Sequence, residues 1–522
     1  MKTKISILVF SIWGCSFQNL FASDSIPAGN VSGHWLQTNS PYKIYGNITV
    51  PQDSLLQIDP GVVVEFQGHY QLLQKGRVLA IGTALNKITF TALSDWWGIR
   101  FDGIQSFQDS SLFIYCMIEK GKANGTGNYA NGGAFFISNF SKIRIANSII
   151  KNNYSYINGG AFYCDHSSPL IIGNTISNNN ANSYYGGGIY CNYSSPSIIN
   201  NIISYNVGSI CCQSSSPSII GNTISYTTTN SAIFCQDSSP LIFNNIISYN
   251  PMGIYIDNSS PSVIGNVITN NTADYGAGIR CRFSSSPNIF NNTISNNTAN
   301  IYGGGLYTDH SSSPIVKNNI IWGNTAASGG NQLALDQTSF PTFYNCDVQG
   351  GAANFYYYDA PNTFGGSYVD NIDADPLFID DATGNYSLQS TSPCINAGTI
   401  DTTGLSLLPT DLASSARICD NRVDIGAYEN CITGIQLMSF NKNDVTIYPN
   451  PTKDRITFEI SENDLPKNVK LMITNVLGEN VKQVFVNSSK TTIQLDELTS
   501  GIYFYQLESE KEVIKMGKII LE

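Results

Sequence analysis

Asp257, Arg280, Arg282 and Asp309 fall at matching places in three successive copies of a repeated phrase, with Asp237 one copy earlier. Charged groups so placed could do acid–base chemistry, and were the substrate a polysaccharide it would take one of two forms. A uronate lyase needs a basic residue to take the C5 proton and a cation, often Ca²⁺ held by carboxylates, to neutralise the uronate. A glycoside hydrolase needs two carboxyls about 5–10 Å apart. Asp257 and Arg282 are also neighbours in one file, and a surface ion pair contributing about 0–1 kcal/mol accounts for them equally. Asp165-His166 and Asp309-His310 recur at one corner, where lone histidines are expected to be solvated. Between 166 and 236 there is no Asp, Glu, Lys or Arg, so about three copies offer no carboxylate and no Arg or Lys base. No nucleophile elbow, phosphate loop or zinc signature is present, so no metal site is expected. Whether the chain is an enzyme stays open. The four residues above are its candidate catalytic set, and Ca²⁺ would be needed only by a lyase.

The elements that position these groups are set by the repeat. Aligned on the proline after the serines (Pro169, Pro196, Pro217, Pro240, Pro261, Pro287, Pro314), the copies step by 27, 21, 23, 21, 26 and 27 residues. A repeat of this length builds a solenoid. Each copy holds short apolar runs, such as 161–164, 170–172 and 175–177, separated by Gly, Asn and Ser-Ser-Pro. Runs so short are strands, and three per turn with fixed corners give a parallel β-helix.

Five residues after each proline stands an asparagine: Asn174, Asn201, Asn222, Asn245, Asn266, Asn292 and Asn319, with Asn147 added from the preceding copy. Its amide both donates and accepts, and turns stack about 4.8 Å apart, so each amide can bond the next in a structural ladder. Cys116 and Cys346 stand where the ladder would begin and end. Ten turns span about 43 Å at that spacing.

Strand alternation sorts the remaining columns. Phe135, Phe162, Ile189, Ile210, Ile233, Ile254, Ile279 and Leu306 face in, as do Ile137, Cys164, Cys191, Cys212, Cys235, Ile256, Cys281 and Thr308. The cysteines are read as stacked thiols or as disulfides between turns. The alternate positions, Phe136, Tyr163, Tyr190, Cys211, Phe234, Tyr255, Arg280 and Tyr307, face out, beside a polar file of Asp165, Asn192, Gln213, Gln236, Asp257, Arg282 and Asp309. Such a strip suits an extended sugar chain, with Tyr163, Asp165, Tyr190, Asn192, Phe234, Gln236, Tyr255 and Tyr307 as ligand-binding candidates; plain coverage of the sheet is the competing reading. Tyr205, Tyr226 and Tyr249 form a shorter run at another strand end, expected to be packing.

The SSPxIxxNxI turns and the lead-in IDPGVVVEF, GRVLAIGT, ITFTA, WGIRF resemble the right-handed parallel β-helix proteins of the pectate-lyase-like superfamily over residues 44–365. The resemblance implies that handedness, and a substrate groove floored by the strand that follows the variable corner. It does not choose a function, since that group holds lyases, hydrolases and non-enzymatic adhesins.

Residues 366–430, with DADPLFIDDATGNYSL and ARICDNRVDIGAYE, resemble the choice-of-anchor Q type of segment. Cys394, Cys419 and Cys431 offer a disulfide there, with Cys394–Cys419 as one pairing. A linker is expected at 431–443. From 444 to 522, YPNP, NVLG, SGIY and KMGKIILE resemble the type A sorting domain of type IX secretion, and the strand pattern is that of a small β-sandwich. The resemblance implies a Gram-negative bacterium of the Bacteroidetes type, passage to the outside, and the secretion machinery as partner. At the other end, residues 1–23 read as a signal peptide, with a membrane anchor as the alternative.

The 522 residues carry a net charge of −11 with only 12% charged residues, which excludes nucleic acid as a partner. The reading is an all-β chain: a right-handed parallel β-helix followed by a small β-sandwich, secreted or on the cell surface. It is expected to be a monomer that binds polysaccharide or a cell-surface glycan, or serves as an adhesin-like rod. A lyase or hydrolase in the groove is the alternative.

Overall fold

A computed structural model describes residues 24–102, 110–183, 185–359, 364–419, 422–431, 445–460, 469–475, 480–486, 488–499, 501–508 and 513–521. The expected signal peptide at 1–23 and all of the expected linker but Cys431 lie outside the described residues. The chain divides into two units at Cys431.

Among the described residues the first unit is built on three parallel sheets of 14 strands each. Every turn gives one short strand to each sheet: Thr175–Ser177 to sheet one, Phe162–Asp165 to sheet two and Leu170–Ile172 to sheet three. Register is strict, with Phe162, Tyr163, Cys164 and Asp165 over Ile189, Tyr190, Cys191 and Asn192. The extra residues of long turns form small side sheets instead of disturbing that register, as at Thr272–Tyr275 and Thr298–Tyr302. The sheets run from Ser25–Ile26 to Ser367–Val369, past the expected bounds of 44 and 365 at both ends.

Both inward columns of sheet two are buried throughout, from Phe135 and Ile137 to Leu306 and Thr308. Each buried Ile or Phe contributes about 1.5–3 kcal/mol, which lets a long rod stand with few ion pairs. The column cysteines are free thiols, not disulfides.

The asparagine file is a continuous hydrogen-bond ladder. Asn174 N–H donates to Asn201 Oδ1 at 2.9 Å and its Nδ2 donates to the same oxygen at 3.0 Å. The pattern repeats through Asn222, Asn245, Asn266 and Asn292 to Asn319, whose N–H then meets Cys346 Sγ. Asn147 is not a member. It sits one residue early at φ 51°, in the left-handed corner position that Gly173 fills in the next turn. Ser148 takes the ladder place, receiving Cys116 N–H and donating its own N–H to Asn174. A second ladder stands five residues further on, through Asn153, Asn179 and Asn206, then Asn250, Asn271, Asn297 and Asn324. Ser167, Ser194, Ser215, Ser238 and Ser259 do the same work at the third corner. Each ladder supplies partners for corner backbone groups that would otherwise be buried unpaired.

The segment after the last turn packs along the solenoid's flank. Leu405 closes a cluster with the outward Phe243, Ile264 and Phe290 of sheet three, and Tyr386 and Ala427 cover Val267 of sheet one. A buried pair, Arg417 with Glu429 at 3.4 Å, and the turn-forming Asp411 and Asp424 stiffen it. The disulfide is Cys419–Cys431, while Cys394 is a buried free thiol donating to Asp347 Oδ2 at 3.2 Å, which corrects the Cys394–Cys419 pairing.

Among the described residues the second unit holds two antiparallel sheets, of three and four strands, around one core that includes Phe458, Leu471, Tyr505 and Ile519. Asn450 of the YPNP stretch pins the last strand, donating to Lys518 O at 2.7 Å and accepting from Ile520 N–H at 2.9 Å.

Candidate functional site

Outward files on sheet two form as alternation requires, but loops lie over much of them. Phe136 is fully buried beneath the Arg100 guanidinium, 4.2 Å from its ring. Tyr185, from the long corner before its turn, stacks on Phe234 at 4.9 Å and leaves Tyr190 and Phe234 under a tenth exposed. Tyr307 is closed in by Tyr275 and Tyr358 at 5.5 and 5.6 Å. Tyr163 and Tyr255 stay half-buried. Burial pushes the Tyr163 hydroxyl up to about 12, so it stays a neutral donor.

The polar file bonds along its own length. Asn192 donates to Asp165 at 2.8 Å, Ser138 donates to Asp165 at 3.3 Å, and the Tyr190 hydroxyl reaches Gln213. His166 lies beside Asp165 at 3.1 Å, and its ring stacks on Tyr193. Gln236 sits between Gln213 and Asp257 in register.

The charged cluster does come together, though with a different pairing. Arg282 Nε lies 3.3 Å from Asp309 Oδ2 and Arg280 Nη2 lies 3.8 Å from it, while His310 Nδ1 is 3.3 Å from Oδ1. Asp257 is reached through Tyr255, whose hydroxyl donates to it at 3.2 Å and accepts from Arg282 at 3.2 Å. Burial raises the Asp309 pKa, against the opposing charges of Arg282, Arg280 and His310. Burial weakens the Arg282 charge, but the Tyr255 bond and Asp309 more than offset it, and its pKa rises. The Asp309 side chain is only 3% exposed, so this carboxyl is a clamp between two guanidiniums before it is a reagent.

Beside the clamp opens a cleft of about 490 Å³, lined by Met252, Tyr255, Asp274, Tyr275, Arg280 and Asn300. The Arg280 guanidinium stands 5.2–5.4 Å from the rings of Tyr255, Tyr275 and Tyr307, and Asn300 donates to Asp274 at 2.9 Å. Aromatic walls with a fixed cation and adjacent carboxylate and amide groups can seat a sugar ring, giving apolar contact and hydroxyl bonds together. Tyr275, Asp274 and Asn300 come from the long corners, where NNTADYGAG is echoed one turn on by NNTANIYGGG. Their sequence signal was that echo, together with the extra length before the glycines.

Residues 231–392 match the family model of the right handed beta helix region, and residues 446–522 match that of the secretion system C-terminal sorting domain. The chain is a right-handed parallel β-helix with a secretion sorting domain. Residues 102–305 of the β-helix also match the model of the periplasmic copper-binding protein NosD. No curated protein matches the chain. The sorting domain marks the β-helix as a type IX secretion cargo of a Bacteroidetes-type Gram-negative bacterium, released or held at the cell surface. Copper chemistry finds no matching donor set among the described residues of the β-helix. They hold no group of three or more His, Cys, Asp or Glu arranged for a metal, and the column thiols are buried, with Cys164 pushed well above its usual range by burial.

Proposed function

We propose that the secreted β-helix binds an extended glycan on sheet two, with one sugar ring in the Tyr255–Tyr275–Arg280 cleft and the chain running along the polar file. The cleft carries this reading: it joins two tyrosine rings to a positioned guanidinium on the outward face of sheet two. A binding role fits the tied state of the charges, since Asp309 is buried and both arginines already face it. Retention and release of soluble oligosaccharides from a broad panel test it. The β-helix should hold at least one glycan without new chain ends appearing. Tyr255→Ala with Tyr275→Ala should abolish retention, and Tyr163→Ala with Tyr190→Ala should weaken it. Unchanged retention in both pairs would refute it.

Convergence of Arg280, Arg282 and His310 on one carboxyl of raised pKa supports a second reading, a polysaccharide lyase or hydrolase. That reading requires unsaturated or reducing ends from some polysaccharide, lost in Arg282→Ala.

A further inference from the structure

Tyr205, Tyr226 and Tyr249 fill one corner in three successive turns, directly after the sheet-one strands Ile202–Ser204, Thr223–Ser225 and Ile246–Ser248. Their backbones are left-handed, at φ 56°, 54° and 57°. Turns on either side place Asn152, Asn178, Asn270 and Asn296 at this corner. Asparagine tolerates that region, whereas a bulky ring there is strained. Three tyrosines in a row therefore hold strain that the corner itself does not ask for, a pattern that marks functional positions.

The packing expected from the sequence is that of ring on ring. The rings stack on one another at 5.0 and 5.3 Å with planes 6° apart, yet stay 50%, 44% and 49% exposed. Ile202 beside them is 53% exposed. The stretch 166–236 holds no Asp, Glu, Lys or Arg, and 241–249 adds none. The apolar contact of the flank segment with sheet one is at Val267, one turn beyond Tyr249.

We propose that this face adheres to a neutral, insoluble polysaccharide, laying the rod along the polymer surface. Each turn, about 4.8 Å from the next, repeats a phenol hydroxyl and an apolar ring edge in a rigid line. A sugar polymer likewise repeats hydroxyls and C–H edges at every ring. Contact desolvates no charge, so binding is strong where a charged face would be penalised. An ordered polymer surface also gives up little conformational freedom on contact, which favours row-on-row adhesion over capture of a free chain. Exposed apolar patches of this kind mark interaction surfaces. The face is separate from the sheet-two cleft and does not rest on it.

The test is sedimentation of the purified chain with microcrystalline cellulose and with chitin, at low and high salt, beside the triple variant Tyr205→Asn, Tyr226→Asn, Tyr249→Asn. Wild type should sediment with at least one polymer, indifferent to salt. The variant should lose about tenfold or more of that affinity, while its melting temperature equals or exceeds that of wild type because asparagine suits the corner. Soluble oligosaccharides run in parallel report on the cleft, so the two readings fail separately. Equal sedimentation of the variant, or none of wild type on either polymer, would overturn the proposal. A change of oligomeric state without a change in sedimentation would also overturn it, and would assign the face to self-association.

Discussion

Arg282 faces Asp309, one turn along the solenoid at 3.3 Å, and meets Asp257 only through the Tyr255 hydroxyl. Two guanidiniums thus depend on one nearly buried carboxyl, and the partners are unequal. Asp309→Ala leaves Arg280 and Arg282 without their shared counter-charge and should cost about 3 kcal/mol. Arg282→Ala leaves Asp309 paired with Arg280 and His310 and should cost about 1 kcal/mol. Urea unfolding of the two variants checks the order, and equal losses would show that the clamp does not form.

The fold was legible because its signals are periodic. Strand length, the SSP phrase and the constant Asn offset each repeat, and Phe162 over Ile189 or Cys164 over Cys191 follows from alignment alone. The second ladder was equally periodic, five residues after the first, but its members hid within Asn-rich corners such as 178–182. Asn147 was misplaced because the copy before Pro169 lacks the proline that fixes the offset. Outward phenylalanines such as Phe243 and Phe290 break the polar-out rule and so signalled that something must cover them. Which segment does so depends on a return of the chain over a hundred residues later. The cleft was least legible, since Tyr275, Asp274 and Asn300 sit in long corners whose phrase recurs only locally and whose length varies along the solenoid.

The two asparagine classes should respond differently to substitution. Asn222 accepts from Asn201 N–H, and its amide donates to Ile198 O at 2.9 Å and Asn245 Oδ1 at 3.0 Å. Asn222→Ala strips several buried groups of partners, and at about 1–3 kcal/mol each should cost at least 3 kcal/mol. Asn147→Gly should cost under about 1 kcal/mol, because glycine is the residue of the same corner one turn on and accepts positive φ freely. Chemical denaturation of both variants measures the contrast.

The thiol column gives a chemical readout. Cys164, Cys191, Cys212 and Cys235 stand in consecutive turns, fully buried. Only the thiolate reacts, and burial pushes the Cys164 thiol well above its usual range, so the column should resist a thiol reagent in the native state and react on unfolding. Cys191→Ala should be cheaper than Cys191→Ser, since a hydroxyl in that column buries a polar group. Rapid native labelling of these positions, found by peptide mapping, would contradict the packed column.

Asp347 links the end of the solenoid to the flank segment and makes stability depend on pH. Its Oδ1 accepts from Ala374 N–H and its Oδ2 from the Cys394 thiol, both at 3.2 Å. Burial nonetheless pushes its pKa up to about 7, with those two bonds opposing and Asp373 and Asp375 adding to the rise. The folded value exceeds the unfolded one, about 3.9. The fold therefore holds the proton more tightly, and the resulting stabilisation is complete below pH 4 and lost as pH climbs through 7. Within that window the loss is about 1.4 kcal/mol per pH unit. Glu429, raised to about 8 mainly by burial, acts in the same direction. General repulsion in a chain of net charge −11 also grows with pH, so the readout is a difference. Asp347→Asn keeps an acceptor for Ala374 N–H but cannot ionise, and its melting temperature should fall less than that of wild type between pH 4.5 and 8. Parallel curves for the two proteins would mean that Asp347 is ionised in the fold throughout.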